Sequence, residues 1–292
     1  MKNSLIIAAV LFLTYDLFLE YGPKPVQAKM QSQWQENRYA LEKYLRDSKA
    51  GITKHEVVYV GSSLTTRLDF DDESKCVYNL SFNGDSALTG LSAIANSAEK
   101  PRLVFIEINV PERGIDQDLI AKTSGFLPQL SAAFYIENMP INLAISFLHS
   151  LKMDRSANEA SEVNEPVRLK ALAMMAQGYK GTMPSDILKN NMTEFSRLVR
   201  DIESSGTKVI FYEMPIYPDL ENSTRAVQIR NAFINTFPNN QMINFHELTK
   251  GSPIKTVDGM HLLKDEAKNV VRNMEVYSNS VCANPNGLHP LQ

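Results

Sequence analysis

The chain has 292 residues, 43% hydrophobic, 22% charged and 9% aromatic, which is ordinary globular composition and enough length for one large or two modest domains. Lys+Arg 30 against Asp+Glu 33 leaves a net charge of −3, so no global positive field draws the chain to nucleic acid or anionic lipid. Neither a C-x-x-C nor an H-E-x-x-H spacing occurs, which removes the common zinc patterns; no metal and no cofactor is expected.

In chain order, "MKNSLIIAAVLFLTYDLFLEYGPKPVQAKM" comes first, with Lys2 ahead of an apolar run from Leu5 to Leu13 and a weaker extension to Leu19 broken by Asp16. A run of that length suits a signal-peptide core or a short membrane anchor. Val26-Gln27-Ala28 has the small-x-small pattern of a signal-peptidase site, so residues 1–28 read as a signal peptide or an uncleaved N-terminal anchor. The competing reading is a buried N-terminal helix, opposed by an apolar character that runs nearly all round. Either membrane reading implies an extracytoplasmic location, periplasmic, secreted or anchored. Residues 29–292 then form the folded domain.

"MQSQWQENRYALEKYLRDSK" predicts a helix with Trp34, Leu41, Tyr44 and Leu45 on one broad face. "EVVYVG" predicts the first strand, "CVYNLSFNGDS" a second apolar run ending in turn residues, and "RLVFIEINVP" a third. "MTEFSRLVRDIESSG" is an amphipathic helix with Phe195, Leu198, Val199 and Ile202 at helical spacing and Gly206 as its stop. The strand "KVIFYEMP", the helix "STRAVQIRNAFINTF", a short strand "MINFHEL" and a closing helix "LKDEAKNVVRNMEVY" follow. Strands with little polar alternation, separated by helices, predict an α/β fold: a three-layer α/β/α sandwich on a mainly parallel sheet. The stretch from about 113 to 191 breaks the rhythm and reads as a mainly helical insertion after the third strand, with longer crossover helices as the alternative. Its apolar face (Phe126, Leu127, Phe134, Ile145, Phe147, Leu148) serves as core or lid, and "DRSANEASEVNEP" as a surface loop.

Cys76 and Cys282 suit an exported domain with one disulfide or none, and pairing requires the C-terminal tail to fold back beside the second strand.

Open α/β sheets gather ligands at the carboxyl ends of their strands. There this sequence places Gly61, Ser62 and Ser63 after the first strand, Asn83 and Gly84 after the second, and Asn109 after the third. "TVDGMHLLKDEA" brings Asp258 and His261 just before the last helix. The blocks "VGSSLT", "NLSFNGDS", "IEINV" and "DGMHL" resemble the SGNH (GDSL-like) hydrolase family, whose blocks contribute Ser, Gly, Asn and His in that chain order. The resemblance spans roughly 57 to 262 and implies a flavodoxin-like fold. Ser62 stands where the family usually has Asp, and Glu107 and Val110 flank the Asn of its Gly-x-Asn-Asp block. Neither departure touches the nucleophile, the base or the side-chain oxyanion donor.

The chemistry follows from residue types. A serine hydroxyl needs an adjacent base, and imidazole suits the task because its ordinary pKa is about 6.5. Ser63 is the expected nucleophile, His261 the base and Asp258 the group that fixes the His261 tautomer. The oxyanion would be held by the backbone N–H groups of Ser63 and Gly84 and by the Asn109 amide. Ser62 reads as a turn residue or helix cap, and Ser62 and Glu213 as possible pocket lining, with a structural role equally open for Glu213. The α/β-hydrolase elbow is excluded because Thr65 occupies the place of its second Gly. His55, His149 and His289 carry no catalytic expectation, and His246 approaches the site only from the last strand end.

Three readings result. One is an exported serine esterase cleaving an oxygen ester, with a carbohydrate O-acyl group as the expected substrate. The second is an O-acyltransferase acting on a cell-envelope or secreted polysaccharide, and the third a catalytically silent envelope binding or assembly protein. The expected partner is a small-molecule or carbohydrate ester, with the membrane added if the leader is retained.

Overall fold

The computed structural model describes residues 33–50, 56–70, 76–124, 165–252 and 254–283, with a few helical residues among 7–18 and 141–145. Most of the leader and, within the expected insertion, residues 125–140, 142–143 and 146–164, which carry most of its apolar face and all but the end of the "DRSANEASEVNEP" stretch, lie outside the described residues. Among the described residues no helix is long and apolar enough to cross a membrane. The chain divides into two units, Met1–Glu42 with Gln117–Arg155, and Lys43–Asp116 with Ser156–Gln292.

The described elements, in order, are α1 (Gln33–Ala50), β1 (Val57–Val60), α2 (Ser63–Thr66), β2 (Val77–Asn79), α3 (Ala87–Asn96), β3 (Leu103–Glu107) and α4 (Gln117–Ser124). They continue with α5 (Glu165–Tyr179), α6 (Ser185–Glu203), β4 (Lys208–Tyr212), α7 (Pro218–Glu221), α8 (Thr224–Thr236), β5 (Gln241–Ile243), α9 (Phe245–Thr249) and α10 (Lys264–Ala283). In the first unit, the Trp34 ring meets the Arg38 guanidinium at 5.8 Å and the Lys122 ammonium at 4.8 Å.

The second unit is built on one five-stranded sheet of order β2-β1-β3-β4-β5, parallel throughout. This is the doubly wound order in which the chain leaves β1 for one edge and returns to its other side at β3. The carboxyl ends of β1 and β3 therefore flank the point where the winding reverses, where ligands collect in such sheets. Val57–Val60 and Leu103–Glu107 are buried along their whole length, as expected of strands covered on both faces. Tyr59, Phe105 and Tyr212 share one face with Val270, Val271 and Met274 of α10. On the other face Phe211 meets Phe233 of α8 at 5.5 Å between ring centroids, and Phe233 meets Phe195 of α6 at 5.0 Å. Helices thus cover both faces, and the three-layer α/β/α arrangement follows.

Two expected boundaries shift. Helix α6 begins at Ser185, not Met192, because Leu188 and Met192 extend its buried stripe backward, so residues 185–191 belong to a crossover helix of the sheet. "MINFHEL" yields a strand only at Gln241–Ile243, since the Asn244 side chain accepts the Glu247 N–H and starts α9. Cys76, immediately before β2, is disulfide-bonded to Cys282 in the last turn of α10, so the closing helix does return to the second strand.

Candidate active site

Strand β1 ends at Val60, and the chain turns through Gly61 into α2, whose first residue is Ser63. Ser62 caps the helix: its backbone is extended and its Oγ accepts the Leu64 N–H. The cap reading of Ser62 holds, and Ser63 is left half-buried at the sheet edge. Its Oγ lies 2.9 Å from His261 Nε2, across 198 positions of sequence. His261 Nδ1 lies 2.7 Å from Asp258 Oδ2.

The turn that carries Asp258 and His261 is tightly specified. Asp258 Oδ1 accepts the N–H groups of Met260 at 3.0 Å and His261 at 2.8 Å, leaving Oδ2 for the imidazole. A bridge between Thr256 and Leu262 and a 2.8 Å bond from Val257 N–H to His261 O close the hairpin. Gly259 has φ 98°, and a Cβ there would meet Leu172 Cδ1 at 2.7 Å and Leu220 Cδ1 at 3.0 Å. Only glycine satisfies both the left-handed backbone and the contact.

Burial alone would raise the Asp258 carboxyl, but the hydrogen bond and charge of His261, with the two backbone N–H groups, outweigh it and hold the pKa at about 2. Ionised, Asp258 only accepts, so Nδ1 carries the ring proton and Nε2 is left to accept from the Ser63 hydroxyl. An alcohol, an imidazole and a carboxylate are thereby aligned for proton transfer.

The expected oxyanion donors are placed as follows. Gly84 is exposed in the turn after β2, with φ 76°. Asn109 lies just past β3 and is nearly buried; its Oδ1 accepts the Met214 N–H at 2.7 Å and its Nδ2 donates to Met214 O at 3.0 Å. That pairing fixes the loop after β3 to the one after β4 and uses one of the two Nδ2 hydrogens. Glu213 is buried and makes a bidentate pair with Arg230, at 2.9 and 2.6 Å, so its carboxylate serves structure while it lines a small recess shared with Asn109 and Tyr179. His246 is exposed on α9 and makes no bond to Ser63 or Asp258. Among the described residues no group of three or more His, Cys, Asp or Glu side chains is arranged to hold a metal.

Sequence reasoning missed what lies behind Ser63. Glu107, the last residue of β3, is 3% exposed and accepts the Ser62 N–H at 2.8 Å on Oε2. Ser62 Oγ donates to the same carboxylate, 2.8 Å from Oε1, and Thr65 Oγ1 donates to Oε2 at 2.6 Å. Thr65 Oγ1 also meets the Tyr212 hydroxyl at 2.5 Å, and Asn79 of β2 donates to the Thr65 and Leu68 carbonyls at 2.8 and 3.1 Å. Burial pushes the Glu107 carboxyl above its ordinary value against these hydrogen bonds, and burial followed by the Glu107 charge pushes Tyr212 well up. The signal was present as an acidic residue closing an otherwise apolar strand, opposite a Gly-Ser-Ser turn.

Similar solved structures include a protein provisionally described as a platelet activating factor from Streptococcus pneumonia, at TM-score 0.46 and 12% identity, covering 84% of this chain and 93% of that one. TesA gives 0.40 and 14%, over 77% and 98%. A protein provisionally described as an acylhydrolase from Bacteroides fragilis gives 0.42 and 13%, over 82% and 96%. No family model matches the sequence, and no curated protein matches it. No residue role passes from these structures to this chain.

Proposed function

We propose that the chain is an exported serine esterase that cleaves an oxygen ester through an acyl-Ser63 intermediate, with a carbohydrate O-acyl group as its substrate class. The observation that carries the reading is the continuous hydrogen-bonded line from Ser63 Oγ to His261 Nε2, at 2.9 Å, and from His261 Nδ1 to Asp258, at 2.7 Å. In this reading His261 takes the Ser63 proton as Oγ attacks the ester carbonyl carbon. The carbonyl oxygen becomes the oxyanion, facing the N–H groups of Ser63 and Gly84 and the second amide hydrogen of Asn109. The imidazolium, stabilised by Asp258, protonates the departing alkoxide. A water then gives a proton to His261 while its oxygen attacks the acyl carbon, and Ser63 leaves with its proton restored. Losing one oxyanion donor typically costs about 3 kcal/mol, a hundredfold or more in rate.

Export is supported by the apolar leader and by the Cys76–Cys282 disulfide, since such bonds persist in oxidising compartments. The test is turnover of an acetyl or short-acyl aryl ester by wild type and Ser63→Ala, both checked for folding. A burst of product that depends on Ser63 supports the reading, and turnover that survives the substitution sinks it. Adding a polysaccharide acceptor and following acyl transfer by mass separates hydrolysis from transfer. A wild type that neither turns over nor is labelled by a fluorophosphonate points to the silent binding role.

A further inference from the structure

Ser63 sits between two residues gripped by one buried carboxylate. Glu107 takes the backbone N–H and hydroxyl of Ser62 on one side and the hydroxyl of Thr65 on the other. Hydrogen inventory fixes the direction of these bonds. The Ser62 amide can only donate, and the Ser62 oxygen already accepts the Leu64 N–H, so its own hydrogen goes to Glu107. Thr65 donates to Glu107, which leaves the Tyr212 hydroxyl to donate to Thr65. The bonds from Ser62 and Thr65 therefore all run toward Glu107, and a carboxylate, which only accepts, meets them.

The backbone has been cut to admit that group. A Cβ on Gly61 would lie 2.5 Å from both Glu107 Oε2 and Thr65 Oγ1, and 2.9 Å from Glu107 Cβ. The short turn is thus fixed from three strands: Asn79 of β2 holds its end, Glu107 of β3 its interior and Tyr212 of β4 the Thr65 hydroxyl. A carboxylate taken out of water is costly unless hydrogen bonds compensate it, and here those bonds come from the two residues that bracket Ser63 in the turn.

We propose that Glu107 is the positioning residue for the nucleophile, holding residues 62 and 65 so that the Ser63 hydroxyl points at His261 and the Ser63 N–H at the developing oxyanion. The carboxylate is delivered from the end of strand β3, opposite Ser62. The proposal rests on the esterase reading. A misplacement of about 1 Å at a reacting group costs on the order of 100-fold in rate.

Glu107→Gln keeps the shape, but with its oxygen on the Ser62 N–H and Thr65 its amide N–H₂ faces the Ser62 hydroxyl where an acceptor stood. The expected result is kcat lower by about 100-fold per folded molecule with KM within about threefold, and slower fluorophosphonate labelling of Ser63 by a similar factor. If Glu107→Gln is not recovered folded, Thr65→Val decides: a kcat about tenfold lower supports the proposal. Wild-type kcat per folded molecule in Glu107→Gln or Thr65→Val overturns it, even where stability falls, because a purely structural role moves stability alone. In that case a wild type with Ser63-dependent turnover leaves the esterase reading standing. A wild type without it overturns both.

Discussion

Replacing Asp258 by Asn tests the proton line most sharply, because the structure says which bonds survive. Asp258 Oδ1 holds the N–H groups of Met260 and His261, so the Asn oxygen must stay on that side to keep the turn closed. The amide nitrogen then faces His261 Nδ1, 2.7 Å away, and donates to it. Nδ1 becomes an acceptor, the ring proton moves to Nε2, and Nε2 can no longer take the proton of Ser63. The geometry survives and the tautomer is wrong. In serine hydrolases of this logic the corresponding change lowers kcat by about 10⁴, which corresponds to roughly 5 kcal/mol of transition-state stabilisation. The assay is steady-state hydrolysis of an aryl ester by Asp258→Asn and wild type at matched folded concentration. A variant keeping more than about a tenth of wild-type kcat would show that Asp258 does not set the His261 tautomer.

The same substitution has a signature in stability against pH. Asp258 titrates at about 2 in the fold, below an unfolded carboxylate at about 3.9, so its contribution is present above about pH 4 and is lost as pH falls toward 2. After allowance for solvent screening at this half-buried site, the increment is on the order of 1 kcal/mol. Wild type should lose about that much more stability than Asp258→Asn between pH 5 and 2, and parallel denaturation curves contradict the assignment. Gly61→Ala should cost about 1–3 kcal/mol of stability and lower kcat, because its Cβ overlaps the Glu107 and Thr65 oxygens; an unchanged thermal midpoint would speak against that crowding. Reducing Cys76–Cys282 frees a loop of 206 positions, worth about 5 kcal/mol at most by loop-closure entropy, so the melting temperature should fall by roughly 10 °C. A midpoint indifferent to reductant would mean the closing helix is held without the bond.

Much of the architecture was legible because it follows from local pattern. Unbroken apolar runs such as Val57–Val60 mark strands covered on both sides, and the stripe through Phe195, Leu198 and Ile202 marks a helix that covers them. Ser63 was legible because it follows a strand end and opens a helix, and Asp258 and His261 because they share a short turn ahead of the last helix; the fold brings the three side chains together. Glu107 was not. As a single residue it reads as a mismatch to the resembled motif, and its meaning depends on facing Ser62 and Thr65 across the β1–β3 pairing, which no local pattern reveals. The Cys76–Cys282 bond stayed open for the same reason, since it depends on where α10 ends relative to β2. Asn109 and Glu213 were placed at the right strand ends, but their pairings with Met214 and Arg230 are tertiary facts. The early start of α6 and the late helix α9 turned on single residues, Leu188 and Asn244, that extend or cap a periodic segment.

The central assertion is that the Ser63 hydroxyl is activated by His261. Incubating folded protein with a fluorophosphonate and mapping the adduct by peptide mass spectrometry tests it most directly. One adduct on Ser63, lost in His261→Ala, is the expected outcome; no adduct, an adduct elsewhere, or labelling unaffected by His261→Ala contradicts it.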